Sequence, residues 1–148
     1  MKKIVVTGST GLIGLALVKQ CLKNGCEIFA ITRPASRRLD VLPNSPLLHL
    51  VECDLANLSQ LKEMIPPECD VFYHLGWGHT GFGKNLDMMY QVENISFTIE
   101  AIRVAKELGC HLFVGAGSQA EYGPLDLDSI SPTTAVNPCS AYGICKYA

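Results

Sequence analysis

Thr7 to Gly14 reads TGSTGLIG, three glycines at every third position set between two stretches of different hydrophobic period, and this junction narrows the fold more than any other feature. Before it, Lys3 to Val6 is KIVV, a β-branched run of the kind that forms a strand buried on both faces. After Gly11, residues Leu12, Ile13, Leu15, Ala16, Leu17, Val18, Cys21 and Leu22 recur at helical spacing, and Asn24-Gly25 marks a stop. The glycines therefore occupy a strand-to-helix turn. The first amides of a helix have no internal partner there, and the positive end of its dipole faces outward. Such a turn suits a phosphate. Gly8 would turn the chain, Gly11 would admit a pyrophosphate to the backbone, and Gly14 would let the helix approach the strand. The spacing is Gly-x-x-Gly-x-x-Gly, not Gly-x-Gly-x-x-Gly, and glycines at such a turn can also serve backbone geometry alone.

Downstream, strand and helix patterns alternate without repeats or low-complexity linkers. Strands are expected at Glu27 to Thr32, Leu47 to Val51, Asp70 to Leu75 and His111 to Gly115. A short helix is expected from about Leu58 to Ile65, stopped by Pro66-Pro67, and a long one from about Leu86 to Leu108, stopped by Gly109. A last helix runs from about Pro138 to the end of the chain. This order predicts an α/β fold: a doubly wound parallel sheet with helices on both faces, its ligands at the carboxyl ends of the strands.

Composition bounds the function. The 148 residues make one domain or part of one, with 48% hydrophobic residues to build a core. A net charge of −2 gives no electrostatic footprint for nucleic acid. No run reaches the apolar length of a membrane span and the N-terminus has no leader pattern, so the expectation is a cytoplasmic protein without a membrane partner. The seven cysteines are odd in number and form no C-x-x-C pair, which favours reduced core thiols over disulfides or zinc.

The end of the second strand bears on cofactor choice. Domains that prefer NAD carry an acidic residue about twenty positions after the glycines to bond the ribose hydroxyls. This chain has Thr32-Arg33 there, with Arg37 and Arg38 close behind. A guanidinium suits a 2′-phosphate, so NADP is expected first and NAD second; the other reading is three solvated arginines in a loop. After the third strand, Asp54 could accept from an adenine amino group while Leu55 packs on the ring, or Asp54 could cap the next helix.

Two further clusters stand late in the chain, GAGSQAEYG at Gly115 to Gly123 and SAYGICKYA at Ser140 to Ala148. Tyr142 and Lys146, four apart, share a helix face. With TGxxGxxG at Thr7 to Gly14, Asp54-Leu55, His74-Leu75-Gly76 after the fourth strand, Asn94 in the long helix, Ser118 four residues before Tyr122-Gly123, and YxxxK at Tyr142 to Lys146, the chain resembles the extended short-chain dehydrogenase/reductase family. These are the NAD(P)-dependent nucleotide-sugar epimerases, dehydratases and reductases, and the resemblance runs the whole length.

The resemblance implies a Rossmann-like NAD(P)-binding domain over residues 1–148. It implies cofactor contacts from Gly8, Thr10, Gly11, Leu12, Ile13, Gly14, Arg33, Asp54, Leu55, Leu75, Gly76, Trp77, Tyr142 and Lys146. Tyr142 would be the acid/base, and Lys146 would hold the nicotinamide ribose and favour the phenolate, since a free tyrosine titrates near ~10 and a neighbouring ammonium lowers that value. Ser118 would bond the substrate oxygen as charge develops on it. Where 4,6-dehydratases carry Thr-Asp-Glu this chain has Ser118-Gln119-Ala120, which argues against dehydration, although Glu121 stands one position away. Arg33 argues against the NAD-retaining epimerases. The expectation is a reductase for a keto group of a nucleotide sugar, with an epimerase or a cofactor sensor without turnover as alternatives. His74 reads as a strand-end or core residue, not a base. Trp77 and His79, in GWGHTGFGKN, belong either to a nicotinamide or substrate wall or to a plain loop, and Asn94 would tie the long helix to that loop. The chain stops two residues after Lys146, so it is expected to be truncated before the C-terminal substrate region and inactive alone. It is expected to form a homodimer through its long and last helices.

Overall fold

In the computed structural model, which describes residues 1–81, 83–126 and 129–148, the alternation becomes a five-stranded parallel sheet of order β3-β2-β1-β4-β5. The strands are β1 (Lys3–Thr7), β2 (Glu27–Thr32), β3 (Leu48–Glu52), β4 (Val71–His74) and β5 (Leu112–Gly115). The helices are α1 (Leu12–Lys23), α2 (Leu61–Met64), α3 (Met88–Glu107) and α4 (Ala141–Tyr147). Strand order reverses at β1, whose register pairs Thr7 with Ile31 of β2 on one side and with His74 of β4 on the other. That is the switch point at which a doubly wound sheet opens a crevice.

The chain divides into two units, residues 1–77 with 97–116 and residues 78–96 with 117–148. The first holds the sheet, and alternate strand residues feed two cores. Ile4, Val6, Ile28, Ala30 and Val71 pack with Val18 and Cys21 of α1. Val5, Phe29, Ile31, Val51 and Phe72 pack with Leu58 and Leu61, with Ala101, Val104 and Ala105 of α3, and with Leu108 just after it. Both faces are covered, which is why the strands read as continuous apolar runs.

Several expected boundaries shift, each for a local reason. The helix expected from Leu58 to Ile65 is replaced by two 3-10 turns over Leu55–Gln60, joined at a kink at Asn57 (φ −123°, ψ 21°), and then the short α2. Leu55, Leu58 and Leu61 recur every three residues, which matches the 3-10 repeat and not the α-helical one. Leu12 and Ile13, counted with the helical apolar stripe, are 89% and 68% exposed. The long helix starts at Met88, not Leu86, after a separate 3-10 turn at Lys84–Leu86. The last helix starts at Ala141 because Ser140, whose Oγ accepts from the Gly143 N–H at 3.0 Å, caps it; Pro138 and Cys139 lie outside. Phe82 of the loop after β4 falls outside the described residues.

All seven cysteines are free thiols, but Cys139 is exposed and not a core residue. Burial pushes the Cys21, Cys53 and Cys145 thiols up, which keeps them protonated and unreactive. Cys69 and Cys110 neighbour each other just ahead of β4 and β5, and Cys69 Sγ donates to the Pro66 carbonyl at 3.4 Å; the proximity of the two thiols holds Cys69 below the usual thiol range and, with burial, pushes Cys110 above it.

Candidate functional site

In the first unit the glycine turn is defined by how little space it leaves. Gly8 has φ +69°, and a Cβ on it would sit 2.8 Å from the Gly76 nitrogen and 2.9 Å from the Leu75 oxygen. A Cβ on Gly14 would fall 2.2 Å from the Gly8 oxygen, so α1 reaches the turn only because that position is bare. Gly11 closes the turn by donating to the Gly8 carbonyl at 3.0 Å, and as N-cap of α1 it offers no side chain to the helix amides. The α1 N-terminus is thus uncapped, with the exposed Leu12 and Ile13 in its first turn. Thr10 lies within the turn, partly buried.

Thr7 stitches this turn to the end of β4. Its Oγ1 accepts from the Gly76 N–H at 3.0 Å and bonds His74 Nδ1 at 3.0 Å. His74 is buried at the strand end, a structural partner of β1 as its sequence position suggested. Leu55 also closes on this corner, since a Cβ on Gly76 would lie 3.1 Å from its Cδ2. Ser9 Oγ donates to the Ile31 carbonyl at 3.1 Å and ties the turn to β2. The structure therefore brings Gly8, Gly14, Leu55, Leu75 and Gly76 together around the carboxyl ends of β1 and β4.

At the end of β2, Thr32 is buried and its Oγ1 has no hydrogen-bond partner among the described residues. Arg33 follows it, exposed, as are Arg37 and Arg38. A buried hydroxyl without a partner is costly unless a visiting polar group satisfies it, and an adenosine ribose is such a group. Asp54 takes the capping alternative: its Oδ1 accepts from the Ala56 N–H at 3.1 Å. Uncapped amides, a cradle closed to any Cβ, and an orphan hydroxyl beside an arginine together fit a dinucleotide.

In the second unit Ser118 is the N-cap of the 3-10 turn Gln119–Glu121. Its Oγ accepts from the Ala120 N–H at 3.2 Å, which leaves the hydroxyl proton to donate elsewhere. Helix α4 packs on this turn at Gly143, where a Cβ would lie 2.3 Å from the Ala120 oxygen. Tyr142 and Lys146 are both partly buried on α4. Burial lowers the Lys146 pKa, and the Glu121 carboxylate opposes that effect. Cys145 is buried and donates to Met88 Sδ at 3.7 Å.

The loop after β4 is held by α3. Asn94 accepts from the Gly78 N–H at 2.6 Å and donates to the Gly78 carbonyl at 3.2 Å, the tie expected of it. Gln91, fully buried, donates to the His79 and Lys84 carbonyls at 3.1 and 3.0 Å. Sequence reasoning missed Gln91; its signal was a second amide three residues before Asn94, on the same helix face. His79 bonds Glu93 at 2.8 Å and packs its ring, tilted by 34°, against that of Tyr90 with centroids 4.9 Å apart, which makes it a loop-fixing residue. Trp77 is the last residue of the first unit's leading segment and is partly buried.

The sequence matches the NAD dependent epimerase/dehydratase family over residues 4–148. A protein named uncharacterized UDP-glucose epimerase YtcB, from Bacillus subtilis (strain 168), is 29% identical over 97% of this chain and 48% of its own length. The dTDP-6-deoxy-L-talose 4-dehydrogenase (NAD(+)) of Aggregatibacter actinomycetemcomitans is 28% identical over 97% of this chain and 51% of its own. Among solved structures, a UDP-galactose 4-epimerase is similar with a TM-score of 0.82 and 25% identity, covering 97% of this chain and 48% of that one. The Bordetella bronchiseptica enzyme WbmG in complex with NAD and UDP shares the fold, with a TM-score of 0.79 and 20% identity over 97% of this chain and 46% of that one. The chain spans about half the length of the curated relatives it matches. With the family matched from residue 4 to residue 148, on a Rossmann-like sheet whose glycine turn fits a dinucleotide, the chain belongs to the NAD dependent epimerase/dehydratase family.

Proposed function

We propose that these 148 residues are the dinucleotide-binding part of a cytoplasmic reductase that acts on a keto group of a nucleotide sugar and prefers NADP to NAD. The observation that carries the reading is the end of β2, where exposed Arg33 follows the orphan hydroxyl of Thr32. A 2′-phosphate would meet a guanidinium there, with no acidic residue next to Arg33 in the sequence. When bound, the nicotinamide supplies hydride. Ser118 hydrogen-bonds the substrate oxygen as charge grows on it and keeps its own proton, Tyr142 delivers the one proton that completes the alcohol, and Lys146 favours the phenolate that remains. A second reading, a nucleotide-sugar epimerase, is favoured by the names of the relatives, which include UDP-glucose and UDP-galactose epimerases.

Because the curated relatives are about twice as long, the groups that position the sugar are assigned to a region beyond this segment. The two readings separate by product. In the full-length polypeptide, a 4-keto nucleotide sugar should be reduced with one NADPH consumed per product, and Tyr142→Phe should lower kcat by about 10²-fold or more. The segment alone should consume none. Interconversion of epimers without net NADPH use would replace the reductase reading by the epimerase one, and steady turnover by the segment would refute the division of labour.

A further inference from the structure

We propose that Glu121 is a positioning residue of this site: its carboxylate locks Ser118 in place and sets a negative charge beside the helix that carries Tyr142 and Lys146. The inference rests on the role proposed above for Ser118, Tyr142 and Lys146. Ser118 and Glu121 form a reciprocal capping box on the turn Gln119–Glu121. The Ser118 Oγ is held by the Ala120 N–H at 3.2 Å, while the Ser118 N–H donates to Glu121 Oε1 at 2.6 Å. A charge-assisted bond of that length is among the stronger ones a protein makes. Cap and counter-cap together fix both the backbone and the side chain of Ser118, which narrows the directions in which its hydroxyl proton can donate.

The turn bearing Glu121 packs on α4 through the bare Gly143, one helical turn from Lys146. Burial disfavours the charged form of Lys146, and Glu121 is the charge that counters it. The other titratable groups on the elements around Lys146 are Tyr142, Cys145 and Tyr147 on its own helix, Tyr122 at the end of the turn bearing Glu121, and Lys84 in the turn Lys84–Leu86. Cys145 is pushed toward the neutral thiol, and the Lys84 ammonium lies over the Tyr90 ring at 5.0 Å. One oxygen of Glu121, Oε1, is thus engaged by the serine N–H. The carboxylate makes the serine donor and the lysine cation a single electrostatic unit.

Two variants separate its two effects. Glu121→Gln keeps an acceptor oxygen and removes the charge; Glu121→Val removes both. In Glu121→Gln the Ser118 amide should keep its hydrogen-exchange protection within about threefold, whereas the Lys146 side chain, followed by carbon NMR, should titrate at lower pH. In Glu121→Val the Ser118 amide should exchange at least about tenfold faster, with the Lys146 titration lowered as in the glutamine variant. An unchanged Lys146 titration in Glu121→Gln overturns the electrostatic role, and unchanged Ser118 exchange in a folded Glu121→Val overturns the positioning role. Should Glu121→Val fail to fold by circular dichroism, Glu121→Gln decides alone. Neither readout needs cofactor or substrate, so a failure here is distinct from a failure of the reductase reading.

Discussion

Gly14 is a residue whose substitution separates propensity from packing. Alanine in the first turn of α1 gains up to about 1 kcal/mol of helix propensity over glycine. Against that, the new methyl lands 2.2 Å from the Gly8 oxygen and 3.0 Å from the Ser9 Cα, both backbone atoms that cannot rotate away. Overpacking of this kind costs about 1 to 3 kcal/mol, so Gly14→Ala should destabilise the chain by about 1 to 2 kcal/mol net, read as a lower urea midpoint with unchanged slope. An unchanged or higher midpoint would show that the turn yields easily and that the glycine serves something other than close approach. The glycine motif was legible because backbone crowding leaves its mark on residue type. Thr7 and Thr32 were not singled out as polar anchors, because a threonine inside a strand reads as an ordinary β-former until its hydroxyl is placed. Asp54 was readable only as two alternatives, since a carboxylate after a strand suits a cap and a ligand equally.

Among the elements, α4 depends most on its surroundings. Seven residues cannot sustain a helix in water, and what holds this one is the Ser140 cap, the Gly143 contact and the burial of Cys145. Its other face shows Ile144 and, 58% exposed, Tyr147. Helix α3 likewise exposes Met89, Val92, Ile99 and Ile102, apolar residues at helical spacing. We propose that these faces of α3 and α4 pair with the same elements of a second chain, as the resemblance implies. Sedimentation should then report a dimer, Ile99→Asp should shift it to monomer, and the amides from Tyr142 to Lys146 should lose protection on dilution. A monomer whose protection is independent of concentration would contradict the pairing. Helix α3 was legible from period and its glycine stop. The 3-10 segments were not, because their three-residue repeat runs only two turns and mimics a short α-helix.

For the molecule as a whole, alternating strand and helix patterns were enough to fix the parallel sheet, since right-handed crossovers leave few arrangements. They were not enough to fix the bonds by which Gln91, Asn94 and Glu121 hold nearby backbone, which no periodicity records. Family membership supplies the dinucleotide; the end of β2 supplies its proposed type. The central claim is that the glycine turn and Arg33 together bind NADP(H). Calorimetric titration of NADPH and NADH into the chain and into Arg33→Ala tests it most directly. The account predicts tighter binding of NADPH, a selective loss of about 1.5 to 3 kcal/mol for NADPH in the variant, and unchanged NADH affinity. Equal affinities for the two cofactors, an equal loss of both in Arg33→Ala, or no binding of either, would contradict it.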